Sequence, residues 1–133
     1  MAGIEVKWTG GEQFLATDEW GHTVSTDPGG KGFKAPNLVL AALVGCAGVD
    51  VVQILQKKRQ KFTAIEVRAD KEHAPDPPWT IQTIEVEWTV KGQGLSEKAV
   101  RDAVRLAEEK YCSVVASLRS ELITTVRIIE EQA

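Results

Sequence analysis

The stretch from Pro36 to Gln60, PNLVLAALVGCAGVDVVQILQKKRQ, decides the fold. Between Leu38 and Leu55 the only polar side chains are Asp50, Gln53 and the thiol of Cys46. A run this long, and apolar on nearly every face, predicts a helix over about 36–60 that is buried on most of its sides. Asp50 and Gln53 interrupt it, and it falls short of the roughly 20 clean apolar residues that a membrane span needs. Pro36 suits the first turn, Asn37 is the expected N-cap, and Lys57, Lys58 and Arg59 oppose the dipole at the far end. Cys46 lies mid-helix between Gly45 and Ala47, where small neighbours would let another group approach the sulfur.

Working outward, IEVKW alternates Ile4, Val6 and Trp8 against Glu5 and Lys7, the two-residue period of a strand. Gly10-Gly11 marks a turn, QFLATD a second strand and HTVSTD a third, giving an N-terminal antiparallel meander over about 1–30. Pro28–Gly32 (PGGKG) reads as a flexible connection. Beyond the helix, Phe62–Asp70 alternates again, and the prolines of His73–Trp79 require a loop. Ile84, Val86, Trp88 and Val90 then form the inward face of the clearest strand. Leu95-Ser96 reads as a staple residue and an N-cap, opening an amphipathic helix with Ala99, Val100, Ala103, Val104 and Ala107 on one face. A short helix after Cys112 and a β-branched strand, Leu122–Ile129, close the chain.

The expected order is βββ, long helix, ββ, helix, short helix, β, in one domain spanning 1–133 with a ββααβ part over about 61–133. Strands grouped around helices argue an α+β fold of mostly antiparallel sheets around a long buried central helix. A helix apolar on all sides needs more cover than 133 residues supply, which predicts a homodimer. The net charge of −3 and pI of about 5.4 leave no footprint for nucleic acid or an anionic membrane. Met1 leads directly into a charged, alternating segment without a signal-peptide pattern, so a cytoplasmic location is expected. With two cysteines 66 positions apart and no metal-ligand spacing, neither a disulfide framework, a metal nor a cofactor is expected. The tryptophans Trp8, Trp20, Trp79 and Trp88 read as core or interface residues, and Glu85 and Glu87 as surface groups on a strand.

Taken singly, Cys46 reads as an inert buried thiol. Cys112 follows Lys110-Tyr111 and precedes a helix, a setting that can lower a thiol pKa, yet taken singly it too reads as an inert core cysteine. Taken together, VLAALVGCAGVDVVQILQKKRQ and AEEKYCSVVASL resemble the OsmC/Ohr family of thiol-dependent peroxide-metabolising proteins, and more closely its short OsmC-like subgroup. The resemblance implies an intertwined homodimer with two central helices packed between sheets. It implies a peroxidatic role for Cys46, a resolving role for Cys112, a hydroperoxide substrate and an external dithiol reductant. The family's arginine and glutamate are not matched: the nearest position to the glutamate is Asn37, and no arginine precedes Arg59. Those departures favour the alternative, a dimeric OsmC-fold protein that binds a small apolar ligand without efficient peroxidase activity.

Overall fold

A computed structural model describes residues 3–132, and the chain forms two compact units, one ending at Ala41 and one beginning at Ala42. In the first, β1 (Ile4–Gly10), β2 (Gln13–Asp18) and β3 (Thr23–Thr26) make an antiparallel sheet in sequence order. The β1–β2 turn needs Gly11, which holds φ at 55°, and Trp8 Nε1 donates to its carbonyl at 2.8 Å. The glycine-rich connection is better organised than its composition suggests. The buried Asp27 carboxylate accepts from the Gly29 N–H at 2.8 Å and from Lys31 N–H and Gln13 Nε2 at 3.3 Å. An aspartate that caps its own turn in this way replaces flexibility with an Asx-type turn.

Helix α1 spans Ala35–Lys57 and crosses the boundary between the units. It starts two residues before the expected cap, so Asn37 lies in its first turn, donating its N–H to the Lys34 carbonyl at 2.9 Å. It ends in a Schellman motif: Gln60 N–H bonds the Leu55 carbonyl, Arg59 N–H bonds that of Gln56, and Arg59 takes a left-handed φ of 56°. At 23 residues α1 is by length and composition long and apolar enough to cross a membrane, although its sequence was read as falling short of that.

Within the single chain its burial is partial. In the second unit only the stripe Leu43, Ala47, Val51 and Leu55, recurring every four residues, is buried. Ala42, Gly45 and Val49 are exposed, Val49 by 57%, so within one chain the helix is covered on one side and not all round. The apolar residues remaining on the other side are what the all-round pattern encoded.

The second sheet runs β4-β5-β6, from Lys61–His73, Ile81–Gln93 and Glu121–Glu130. Strands β4 and β5 pair antiparallel, whereas β5 and β6 are parallel, a pairing not anticipated from the sequence. Parallel neighbours cannot be joined by a tight turn, and the crossover is made by α2 (Glu97–Leu106), one π-turn (Ala107–Tyr111) and α3 (Ser113–Ser117). Ser96 caps α2 as its sequence predicts, accepting from the Ala99 N–H at 3.2 Å. Val100, Ala103, Val104 and Ala107 are buried, as are Ile84, Val86, Trp88 and Val90 on the inner face of β5. Gly92 ends that face where β4 bulges, since a Cβ there would stand 2.7 Å from the Phe62 Cα. Of the four tryptophans only Trp88 is core; Trp8, Trp20 and Trp79 are 59–78% exposed in the single chain.

Candidate active site

Both cysteines belong to the second unit, and the fold brings them together as free thiols. Helix α1 carries Cys46 beside its buried stripe, half-exposed, while the crossover delivers Cys112 to the same place. Cys112 is the residue at which the π-turn ends and α3 begins. Its N–H closes the π-turn on the Ala107 carbonyl at 2.9 Å. Its sulfur caps α3 by accepting from the Val115 N–H at 3.4 Å and lies 3.9 Å from the Leu43 carbonyl of α1. The next residue, Ser113, places its Oγ 3.9 Å from Cys46 Sγ.

The start of α3 thereby supplies hydrogen-bond donors to one sulfur while burying the other. The Val114 N–H, first, and then the Cys112 thiol hold the Cys46 pKa below the ordinary thiol value against a smaller desolvation effect; the Ser113 hydroxyl and N–H add to them. Hydrogen bonds to the charged form favour the thiolate. Burial, first, pushes the Cys112 thiol up, and donation to Cys46 pushes it further, partly opposed by the Val115 and Val114 N–H groups. The lowered pKa thus falls on Cys46, the cysteine that the resemblance makes peroxidatic, and the setting of Cys112 beside Lys110 does not lower its own. Lys110 instead turns away and stacks over the exposed Tyr111 ring, 5.5 Å from its centroid. Gly45 and Gly48 do not seat another segment: a Cβ at either would meet nothing within 4 Å, so the space beside Cys46 is open.

The shifts set a pH order. With the folded Cys46 pKa depressed, the stability its thiolate contributes is present above the ordinary thiol pKa and is lost as pH falls through the lowered value. Cys112, raised, contributes below the ordinary value and loses it as pH climbs through the higher one. In reactivity, iodoacetamide at pH 7.5 is expected to label Cys46 ahead of Cys112. The rate midpoint of Cys46 should lie below that of a free thiol and that of Cys112 above it, read by mass spectrometry of the tryptic peptides. Equal midpoints would contradict the assigned hydrogen bonds.

One ionisable residue of this region carried no signal in the sequence. Glu108, within the π-turn, is buried with both carboxylate oxygens engaged: Oε1 accepts from Thr124 Oγ1 at 2.8 Å and Oε2 from Trp88 Nε1 at 3.4 Å. Burial, first, raises its pKa above the usual carboxyl value despite those two bonds. In AEEKYC it reads as a solvated glutamate, because helical periodicity of 3.6 does not describe a π-turn. Among the described residues no group of three or more His, Cys, Asp or Glu side chains could hold a metal ion.

Two thiols polarised in opposite directions, on a long helix and a crossover over a mixed sheet, define a thiol-bearing α+β protein. The family of OsmC-like proteins matches residues 28–127, and the chain belongs to that family. It is 40% identical over 123 residues to Protein YhfA of Escherichia coli K12, covering 90% of this chain and 91% of that one. A hypothetical protein from Aquifex aeolicus VF5 superposes with a TM-score of 0.90 at 28% identity, covering 99% of this chain and 98% of the other. The organic hydroperoxide resistance protein OhrB of Bacillus subtilis shares the fold, with a TM-score of 0.62 at 17% identity over 95% of this chain and 97% of its own.

Proposed function

We propose that the protein is a thiol-dependent peroxidase acting on organic or small hydroperoxides, with Cys46 peroxidatic and Cys112 resolving. The observation that carries this reading is the opposed polarisation of the two sulfurs, since the thiolate is the reactive form and an acid and a base on one site need separated pKa values. In the first step the Cys46 thiolate attacks the terminal peroxide oxygen. The O–O bond breaks, the alkoxide takes a proton and leaves as an alcohol, and Cys46 becomes a sulfenic acid. In the second, Cys112 sulfur displaces that hydroxyl group: the S–S bond forms, the S–O bond breaks, and the Cys112 proton leaves with the hydroxide as water. An external dithiol then reduces the disulfide by exchange and is itself oxidised. Brief treatment with cumene hydroperoxide is expected to give a Cys46–Cys112 disulfide within one subunit, a loss of two hydrogens by mass spectrometry. Both thiols remaining reduced while a control thiol peroxidase oxidises fully would reject the enzyme reading.

A second reading, a small-molecule-binding protein of this fold without efficient peroxide chemistry, is favoured by one observation. The donors foremost at Cys46 are neutral, and no arginine guanidinium is among them. An apolar cleft of about 480 Å³, lined by neither cysteine, runs between Gly48, Val49 and Val52 of α1 and Ile65, Val67 and Trp88 of the sheet. A bound apolar ligand and unreactive thiols would establish this alternative.

On either reading the working form is a cytoplasmic homodimer in which the partner covers the exposed face of α1 around Val49. Uncovered apolar faces of this kind are rare on soluble monomers. Sedimentation equilibrium at low micromolar concentration is expected to give twice 14.5 kDa, and Val49→Asp, which places a charge where a partner would pack, should shift the protein to monomer. A wild-type monomer throughout the micromolar range would defeat this.

A further inference from the structure

Glu108 has no place in the chemistry above, yet it is 8% exposed and fixed at both oxygens. Burying a carboxyl group is unfavourable unless it is well bonded, so its position calls for a purpose. It lies in the wide turn that closes on the N–H of Cys112 itself. In that turn the Cys112 N–H reaches back five residues to Ala107; in a plain α-helix it would reach back four, to Glu108. A change from one register to the other would rotate residue 112 about the helix axis by roughly 100° and carry its sulfur away from α1. Nothing on α2 enforces the wide turn, because the Ala107 N–H bonds normally to the carbonyls of Ala103 and Val104. Glu108 does reach out of the helix, to β5 through Trp88 and to β6 through Thr124.

We propose that Glu108 is a positioning residue for the resolving step: by anchoring the π-turn to β5 and β6 it holds Cys112 in reach of Cys46. The proposal rests on the peroxidase reading and adds to it the residue that fixes where the second sulfur stands. The charged groups around Glu108 are Arg101 and Arg105 of α2 and Glu109 of the turn, while β5 and β6 present the two uncharged donors. Arg101 is engaged with Glu97 at 2.9 Å, and Arg105 with Asp102 at 3.6 Å and Glu109 at 3.7 Å. Neither arginine forms an ion pair with Glu108, which leaves the sheet donors as its anchors. Burial also keeps its proton affinity high, so the anchor is expected to respond to pH on the acid side.

The test separates the two chemical steps in Thr124→Val, which removes one donor at near-constant shape, and in Glu108→Gln. After mixing with cumene hydroperoxide, sulfenic acid at Cys46 is trapped with dimedone and the disulfide is counted by mass. Sulfenic acid formation is expected to slow by no more than about fivefold, since the donors to Cys46 ride on the same turn, while disulfide formation slows about 10- to 100-fold, the scale of a small misplacement of a reacting group. The acid-side inflection in the wild-type resolving rate should be absent from Glu108→Gln. Alkylation of Cys112, which needs no peroxide, should speed up at least about tenfold in both variants as the turn loosens around a thiol that is 3% exposed. If wild type never forms a sulfenic acid, the peroxidase reading fails and the alkylation rates alone decide the positioning role. Unchanged Cys112 alkylation and unchanged disulfide formation in folded variants would overturn the proposal, as would equal slowing of both chemical steps.

Discussion

Cys46→Ser is expected to abolish hydroperoxide consumption, by at least about a thousandfold, because a serine hydroxyl offers no thiolate at neutral pH. Cys112→Ser should behave differently. It leaves the Val114 N–H and the Ser113 groups around Cys46 and replaces the Cys112 thiol with another hydroxyl donor. The first oxidation should therefore proceed, and Cys46 should accumulate as a sulfenic acid that dimedone traps. Turnover with a dithiol would then fall while single-turnover oxidation persists. Equal loss of both steps in Cys112→Ser would show that Cys112 activates Cys46 instead of resolving it.

The other large effect is on stability. Trp88 is fully buried on the inner face of β5 and donates to Glu108. Trp88→Ala removes the largest buried side chain and leaves the Glu108 Oε2 without its donor. The cavity alone costs about 3–5 kcal/mol, and an orphaned buried acceptor adds about 1–3 kcal/mol. Against a usual domain stability of about 5–15 kcal/mol, the variant is expected to lose a large share of its stability, with a sharply lowered urea midpoint. Trp88→Phe, which keeps a ring and loses the N–H, should remain folded with a urea midpoint lowered by an amount worth about 1–3 kcal/mol. A Trp88→Ala protein with the wild-type midpoint would remove Trp88 from the core.

Much of this arrangement was legible in the sequence wherever a residue's partners lie close along the chain. The alternation Ile84–Val90, the Ser96 cap and the buried stripe of α2 are local patterns, and each appears where it was expected. The cysteine pair was legible by resemblance, and the fold brings Cys46 and Cys112 together. What escaped depends on distant neighbours or on the wrong period. Nothing in Leu122–Ile129 distinguishes a parallel edge strand from an antiparallel one. The groups that acidify Cys46 were not legible, because Val114 and Cys112 lie far along the chain from it. Glu108 was invisible because a five-residue turn breaks the spacing by which buried positions are read. The apolar pattern of α1 reports more contact surface than one chain uses, and composition cannot say whose atoms meet it.

The parallel pairing of β5 with β6 has a consequence for the order in which the site is expected to assemble. Cys112 travels on the link between those strands, so docking of the last strand is expected to bring its sulfur to Cys46. During synthesis Cys46 leaves the ribosome well ahead of Val114 and Cys112, and until they arrive its sulfur lacks the donors that acidify it. An unfinished or truncated chain is thus expected to carry two ordinary thiols, and the reactive sulfur is acquired with the final C-terminal docking event.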